Sequence, residues 1–352
     1  MKKLLQDLTD LVGPSGFEHE IARVILERVK PLADEVTIDG LGNIIARVRG
    51  QYPGPTLLVS AHMDEIGFIV KKIEENGLIR FEKLGGHDDR ILLAQQVRIQ
   101  TESGVRLGVI GTISAHMVKF DDPVHVRQHR DLYIDVGADS RNAVERLGIQ
   151  VGDPISWATQ MQMLGDTKVV GKAFDDRAGC AVLIQALQEL NASDMHGEVC
   201  AVFSVQEEVG LRGAKVAGEQ VAADVSIAID TTAVSDTPEQ MMDSTLRLGY
   251  GPCIKVMDQS LIASRSVRKE LEEAAKAAAI PYQHEIFMGI GTDAGALHQS
   301  RGGVPSGVIS IPSRYAHSPV EVMDLNDLIQ AKDLLKQFIY RLRSKEQFRF
   351  ID

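Results

Sequence analysis

The sequence predicts an α/β protein in which a mostly parallel sheet is flanked by helices and interrupted by a small β-rich module. Three observations predict it. After residue 165, strand-like and helix-like segments alternate, the pattern of a parallel sheet covered on both faces. Between residues 67 and 164 the texture changes to short strands broken by turns. Before residue 67, a helical stretch leads into short β-type runs. The economical division is one α/β domain made of residues 1–66 and 165–352, with residues 67–164 inserted into it.

The elements follow in order. Residues 1–30 read as helical, with Ser15 and Glu18 at capping-box spacing and Phe17, Ile21, Val24, Ile25 and Val29 at helical intervals. VTIDG, NIIARV and TLLVSAH are β-type runs separated by Gly or Pro turns. In the module, IVKKI–EENG–LIRFEKL and VRIQ–TESG–VRLGVIGT are strands and turns, with no long helix pattern before SRNAVERLG. Then come a helix in RAGCAVLIQALQEL, a buried strand in EVCAVFSVQ, a helix in LRGAKVAGEQ and a strand in VSIAID. Ser264 is placed to cap SRSVRKELEEAAKAAA, and GVISIP is a further strand. Asp324 is placed to cap the closing helix, whose Leu328, Leu335, Phe338, Ile339 and Leu342 make one apolar face.

Composition excludes several classes. The chain has 352 residues, 44% hydrophobic and 25% charged, which is a folding rather than a disordered composition. Its 38 Lys+Arg against 49 Asp+Glu leave −11, the wrong sign for a phosphate-binding surface, so nucleic acid is not expected as a partner. No apolar run approaches the ~20 residues of a membrane span. Asp7 and Asp10 interrupt the start too early for a secretory segment. The three cysteines, Cys180, Cys200 and Cys253, form no CxxC pair and read as small buried hydrophobes. A cytoplasmic protein is the expectation.

Five segments end apolar strands with chemistry-bearing residues. In LLVSAHMDEIG, His62 follows a strand and Asp64 lies two residues on, at the spacing that lets a carboxylate orient a ligating imidazole. GKAFDDRAG carries Asp175 and Asp176 ahead of a helix, where an N-cap pair is the plainer explanation. FSVQEEVG carries Glu207 and Glu208, two adjacent carboxylates that repel unless a cation sits beside them. In SIAIDTT, Asp230 ends another buried-type strand, and SIPSRYAHSP carries His317 beyond GVISIP. Each alone reads as easily as a solvated turn. Together they put two His and six carboxylates at strand ends, where open α/β sheets bind ligands. Imidazole with carboxylate and no thiolate suits Zn²⁺, Co²⁺ or Mn²⁺, and one shared carboxylate would make a two-metal hydrolytic centre.

Other residues read as background. SAHM recurs at Ser114–Met117, but Val118 stands where the aspartate would be, so His116 reads as structural or interfacial. His87, in LGGHDDR, is placed to face the cleft, but a loop histidine beside two aspartates reads more simply as solvated. GIGTDAG lacks the lysine and spacing of a nucleotide loop. Arg301 and Arg314 are the basic residues that would favour acidic substrates if they lined the pocket.

SAHMDEIGF, AFDDRAG, QEEVGLRGA, AIDTT, GTDAGALHQSRGGVPS and SRYAHSP, in this order, resemble the motifs of the cytosolic dinuclear metallo-aminopeptidases. This is the family of glutamyl aminopeptidase and the tetrahedral (TET) aminopeptidases, some once labelled endoglucanases. The resemblance implies a zinc-exopeptidase-like fold and two divalent ions per subunit, zinc first and cobalt or manganese as alternatives. It implies that His62 and Asp230 hold one ion, Glu208 and His317 the other, and that Asp175 bridges them. It implies Glu207 as the general acid/base, Asp64 as the residue orienting His62, and a cis peptide between Asp175 and Asp176. The module resembles the family's dimerisation domain, and the resemblance implies dimers assembling into a dodecamer. GTDAG and RYAHSP would face the substrate. The implied activity is removal of N-terminal residues from short peptides with a free amine, by a water activated between two metals. The alternatives are a deacylase or amidase acting on N-acyl amino acids and, less favoured, a non-catalytic peptide-binding scaffold. A glycosidase fits less well, since the candidate acids are better explained as ligands.

Overall fold

The computed structural model describes residues 1–117, 126–234, 236–238 and 245–351. The chain opens with helices α1 (Lys2–Thr9) and α2 (His19–Val29), then strands β1 (Glu35–Ile38), β2 (Ile44–Arg49) and β3 (Tyr52–His62). Strands β4 (Gly67–Ile73), β5 (Ile79–Leu84), β6 (Gln96–Thr101), β7 (Gly104–Ile110), β8 (Ile134–Asp135) and β9 (Pro154–Trp157) close a barrel in the order β4-β5-β8-β7-β6-β9, and helix α3 (Arg141–Arg146) lies between β8 and β9 in the chain. Short strands β10 (Gln162–Leu164) and β11 (Lys168–Gly171) lead to helix α4 (Phe174–Glu189). Next come β12 (His196–Ser204), α5 (Arg212–Gln220), β13 (Val225–Ala233), β14 (Cys253–Asp258), α6 (Arg265–Ala277) and β15 (Gln283–Phe287). The chain ends with α7 (Ala294–Leu297), β16 (Ser306–Ser313), β17 (Glu321–Asp324) and α8 (Leu325–Arg341).

The main sheet has eight strands in the order β1-β2-β12-β3-β13-β16-β14-β15. Its four central strands, β12, β3, β13 and β16, are parallel. The expectation of a mostly parallel sheet therefore holds at the centre and not at the edges, where β2 meets β12 and β14 meets β16 antiparallel. The centre is parallel because its strands are joined by crossovers, with α4 before β12 and α5 before β13. At the edge, β1 and β2 form an antiparallel pair from Glu35↔Arg47 to Ile38↔Ile44.

Helix α4 is apolar around nearly its whole circumference, from Ala178 to Leu187, and is correspondingly buried between the sheet and α8. Helix α8 buries one stripe, Leu328, Ala331, Leu335, Phe338 and Ile339, and Asp324 caps it by accepting from the Asn326 N–H. The barrel has its own core, built on Phe68, Phe81 and Trp157. Residues Gln162–Leu164 already pair with β11, outside the barrel.

Two local expectations are corrected. The N-terminal region is two helices, because residues 10–18 are recruited by buried partners rather than by a helix ladder. Ser15 donates to Asp64 and Glu18 accepts from Gly16 and Gln206, so neither makes a capping box. Ser264 stands at the N-cap of α6, but its hydroxyl meets Ser266 rather than the backbone.

Candidate metal centre

The parallel strands carry the candidate residues to one edge. His62 ends β3 and Ser204, level with it, ends β12, so Glu207 and Glu208 follow at once in the turn beyond. Asp230 lies on β13 two residues past Ala228, the partner of Ser60, which sets it level with His62 and on the same face. His317 lies beyond β16, and Asp175 opens α4. The Asp175–Asp176 peptide is cis.

Asp175 stands between the two histidines. Its Oδ1 is 3.2 Å from His62 Nε2 and its Oδ2 is 3.4 Å from His317 Nε2. Asp230 Oδ1 lies 3.8 Å from His62 Nε2, and Glu208 Oε1 lies 3.3 Å from His317 Nε2. Glu207 Oε2 is 4.0 Å from His62 Nε2. Three sets have ligand atoms all within 4.8 Å of one another: His62, Asp175 and Asp230; Asp175, Glu208 and His317; and His62, Glu207 and Glu208.

The electrostatics of this cluster favour added cations. Burial pushes Glu207 well above the ordinary carboxylate range, and the charges of Asp230 and Glu208 add to it. Asp230 is raised by burial and by Asp175, and Glu208 likewise. Burial opposes charging of His62, yet hydrogen bonds to Asp175 and Asp64 overcome it and raise its pKa well above the usual value. His317 follows the same pattern through Glu208 and Asp175. Glu208 Oε1 is buried without an aligned donor. The donor set, imidazole nitrogen and carboxylate oxygen, fits borderline-to-hard divalent ions.

A shell of buried groups aims these side chains. His62 Nδ1 is 3.1 Å from the Asp64 carbonyl and 3.4 Å from Asp64 Oδ1. Asp64 also accepts the backbone N–H of Glu207 (3.0 Å) and of Glu208 (3.2 Å), and the Ser15 hydroxyl (2.6 Å). Glu321 accepts the His317 N–H on one oxygen (3.0 Å) and the Asp175 N–H on the other (3.1 Å). Burial, then the charge of Asp175, push Glu321 up to about 8, against the pull of those two N–H donors. Asp176 accepts the His62 N–H at 3.2 Å. The barrel contributes as well, because the Gly86 carbonyl lies 3.0 Å from His317 Nδ1.

A model of the M42 glutamyl aminopeptidase family matches residues 42–334. The chain belongs to that family. It is 35% identical to the lysyl aminopeptidase of Pyrococcus furiosus over 97% of each chain. It is 31% identical to the glutamyl aminopeptidase of Lactococcus lactis over 96% of each. An aminopeptidase structure from Desulfurococcus kamchatkensis superposes with a TM-score of 0.94 at 40% identity, covering 99% of this chain and 97% of that one. The Pyrococcus horikoshii TET1 peptidase, described as assembling into a tetrahedron or a large octahedral shell, gives a TM-score of 0.88 at 33% identity over 97% of this chain and 99% of its own.

All seven residues singled out in the sequence, His62, Asp64, Asp175, Glu207, Glu208, Asp230 and His317, meet at one place in this M42 chain. His87 does not join them. It stacks on Phe68 and contacts the Gly67 carbonyl at 2.8 Å, and burial lowers its pKa to about 4. His116 is exposed, and Val118 lies outside the described residues. In GTDAG, Gly291 lines the cavity, while Thr292 and Asp293 are buried beneath, with Ser204 donating to Asp293 at 2.5 Å. Glu321, Ser15 and Glu18 were not legible as site residues. The one available signal was a carboxylate four residues after His317 in AHSPVE.

Proposed function

We propose that this chain is a metal-dependent aminopeptidase that removes N-terminal residues from short peptides. The observation carrying the proposal is Asp175, one carboxylate whose two oxygens face His62 at 3.2 Å and His317 at 3.4 Å, each histidine with its own second acid. In this reading His62, Asp175 and Asp230 hold one divalent ion and Asp175, Glu208 and His317 a second, with zinc first and cobalt or manganese as alternatives. Such ions supply Lewis-acid polarisation of a carbonyl and a nucleophile made from water. Glu207 is the general base. Its carboxylate takes the proton from the attacking water and, then protonated, returns it to the departing amine, and burial raises its affinity for that proton. Asp64 holds His62 in orientation and the Glu207–Glu208 backbone in place.

We assign residues 1–66 and 165–352 to catalysis and residues 67–164 to self-association. Supporting the latter, alternate residues Val105, Leu107 and Val109 on β7 are 47%, 59% and 40% exposed, an apolar stripe on the barrel's outer face. The TET1 relative, described as assembling into a tetrahedron or a large octahedral shell, supports a homo-oligomer, and dimers as its building unit are part of the proposal. No helix among the described residues is long and apolar enough to cross a membrane, and a cytoplasmic setting is part of the proposal.

The test pairs kinetics with metal analysis. Chelation should abolish hydrolysis of aminoacyl-anilides, and Zn²⁺, Co²⁺ or Mn²⁺ should restore it with close to two ions per chain. Glu207→Gln should keep the ions and lose about 10²–10⁴-fold in kcat. Full activity with one ion, or near-normal turnover in Glu207→Gln, would refute the assignment. Cleavage of N-acyl amino acids but not of free-amine substrates would indicate the deacylase.

A further inference from the structure

The cavity at the centre has a volume of about 540 Å³, within the range of small-molecule sites. Among the described residues, every charged side chain lining it belongs to the six groups already assigned, His62, Asp175, Glu207, Glu208, Asp230 and His317. The rest of the described lining is uncharged, and its largest side chains are Leu211, Phe287 and Ile290. All three are partly exposed, so a ligand seated there would cover apolar surface. The Phe287 ring folds over Gly289, where an added Cβ would lie 3.0 Å from it.

Charges on the neighbouring elements are committed elsewhere. Arg314 forks onto Asp236 at 2.6 and 2.8 Å. Arg301 donates to the Glu219 carbonyl at 2.8 Å, and Arg212 to Gln206 at 3.1 Å. Lys255 is fully buried between Asp258 (3.1 Å) and Glu285 (2.8 Å). The Thr232 hydroxyl is taken by Glu285 at 2.9 Å, so this wall residue offers the cavity no free donor. A charged substrate side chain would leave water without a counter-ion among these walls, which is costly. An apolar one would gain the contacts of Leu211, Phe287 and Ile290.

We infer that the enzyme selects a neutral, apolar N-terminal residue, leucine, methionine or phenylalanine, rather than the glutamate or lysine named in its relatives. This rests on the aminopeptidase reading above. The metal-reconstituted full chain is assayed on the 4-nitroanilides of Leu, Met, Phe, Ala, Lys and Glu, with N-acetyl-leucine anilide as control. Leu, Met and Phe should exceed Lys and Glu by about tenfold or more in kcat/KM. Ile290→Glu should raise Lys relative to Leu by about tenfold, and Phe287→Ala should narrow the Leu-over-Ala margin. A Lys or Glu substrate equal to or better than Leu would overturn the inference and leave the aminopeptidase intact. So would variants that slow every substrate alike. Should no free-amine substrate be cleaved while the N-acetyl control is, the aminopeptidase reading itself fails, and this inference with it.

Discussion

Asp64 Oδ1 accepts the backbone N–H of Glu207 at 3.0 Å, tying the residue after β3 to the turn after β12. The same carboxylate faces His62 Nδ1 and accepts from Glu208 and Ser15, so a single buried group sets a proposed ligand and the proposed base together. Its burial opposes ionisation, but the His62 and Ser15 hydrogen bonds hold its pKa below the usual range. Asp64→Asn replaces one accepting oxygen with a donor, leaving the Glu208 N–H or its neighbour facing another N–H. Metal affinity should fall about 10–100-fold, with a matching loss of kcat. Calorimetric metal titration beside steady-state kinetics checks this, and unchanged values in both would contradict the role.

Glu321 is the counterpart on the other side. Its two oxygens accept the N–H groups of His317 and Asp175, the pattern of a carboxylate. Glu321→Gln leaves one of those N–H groups opposite an amide donor. The chelated protein should lose about 1–3 kcal/mol of stability. Denaturant midpoints of variant and parent measure it.

Glu65 lies in a fully buried network remote from solvent. Lys172 Nζ is 2.8 Å and Arg177 Nη2 3.1 Å from its carboxylate, and Arg177 also donates to the carbonyls of Leu8, Leu11 and Gly13. Burial lowers Lys172 to about 8, against the attraction of Glu65. Glu65→Gln strands two buried cations and should cost about 3–5 kcal/mol. Urea unfolding near neutral pH reads it, and a loss under 1 kcal/mol would show the network relaxes.

Glu18 gives a pH signature. Burial, then the charge of Asp64, raise it to about 7 from an ordinary 4.5. Between those values the folded state binds more protons than the unfolded one, so stability falls as pH rises. Glu18's contribution is fully present below 4.5 and is lost as pH rises through 7. Glu18→Gln keeps an oxygen for the Gly16 and Gln206 N–H groups and removes the titration. In chelator, the variant should match the parent at pH 4.5 and exceed it by about 1–3 kcal/mol at pH 8. Parallel stability curves for the two proteins would rule this out.

The sheet's central strands were legible because TLLVSAH, EVCAVFSV, VSIAID and GVISIP are apolar runs too continuous for a half-exposed strand. The candidate centre was legible because its members stand where those runs stop. Glu18 misled because capping-box spacing is satisfied by sequence alone, while the actual donors to its carboxylate include Gln206, 188 residues away. Glu321 was silent for the same reason, since neither Asp175 nor His317 announces which acid receives its backbone N–H.

The acidic sequence by itself determined its alternation of strands and helices, its interrupted α/β plan and the histidines and carboxylates placed where apolar runs stop, because periodicity and residue chemistry are local. Only the tertiary structure decided the antiparallel sheet edges, the 3.2 and 3.4 Å seat of Asp175 between two histidines and the uncharged wall of Leu211, Phe287 and Ile290. Those depend on which distant segments share a low-dielectric space. There a carboxylate's partner, not its spacing in the chain, sets what it can do.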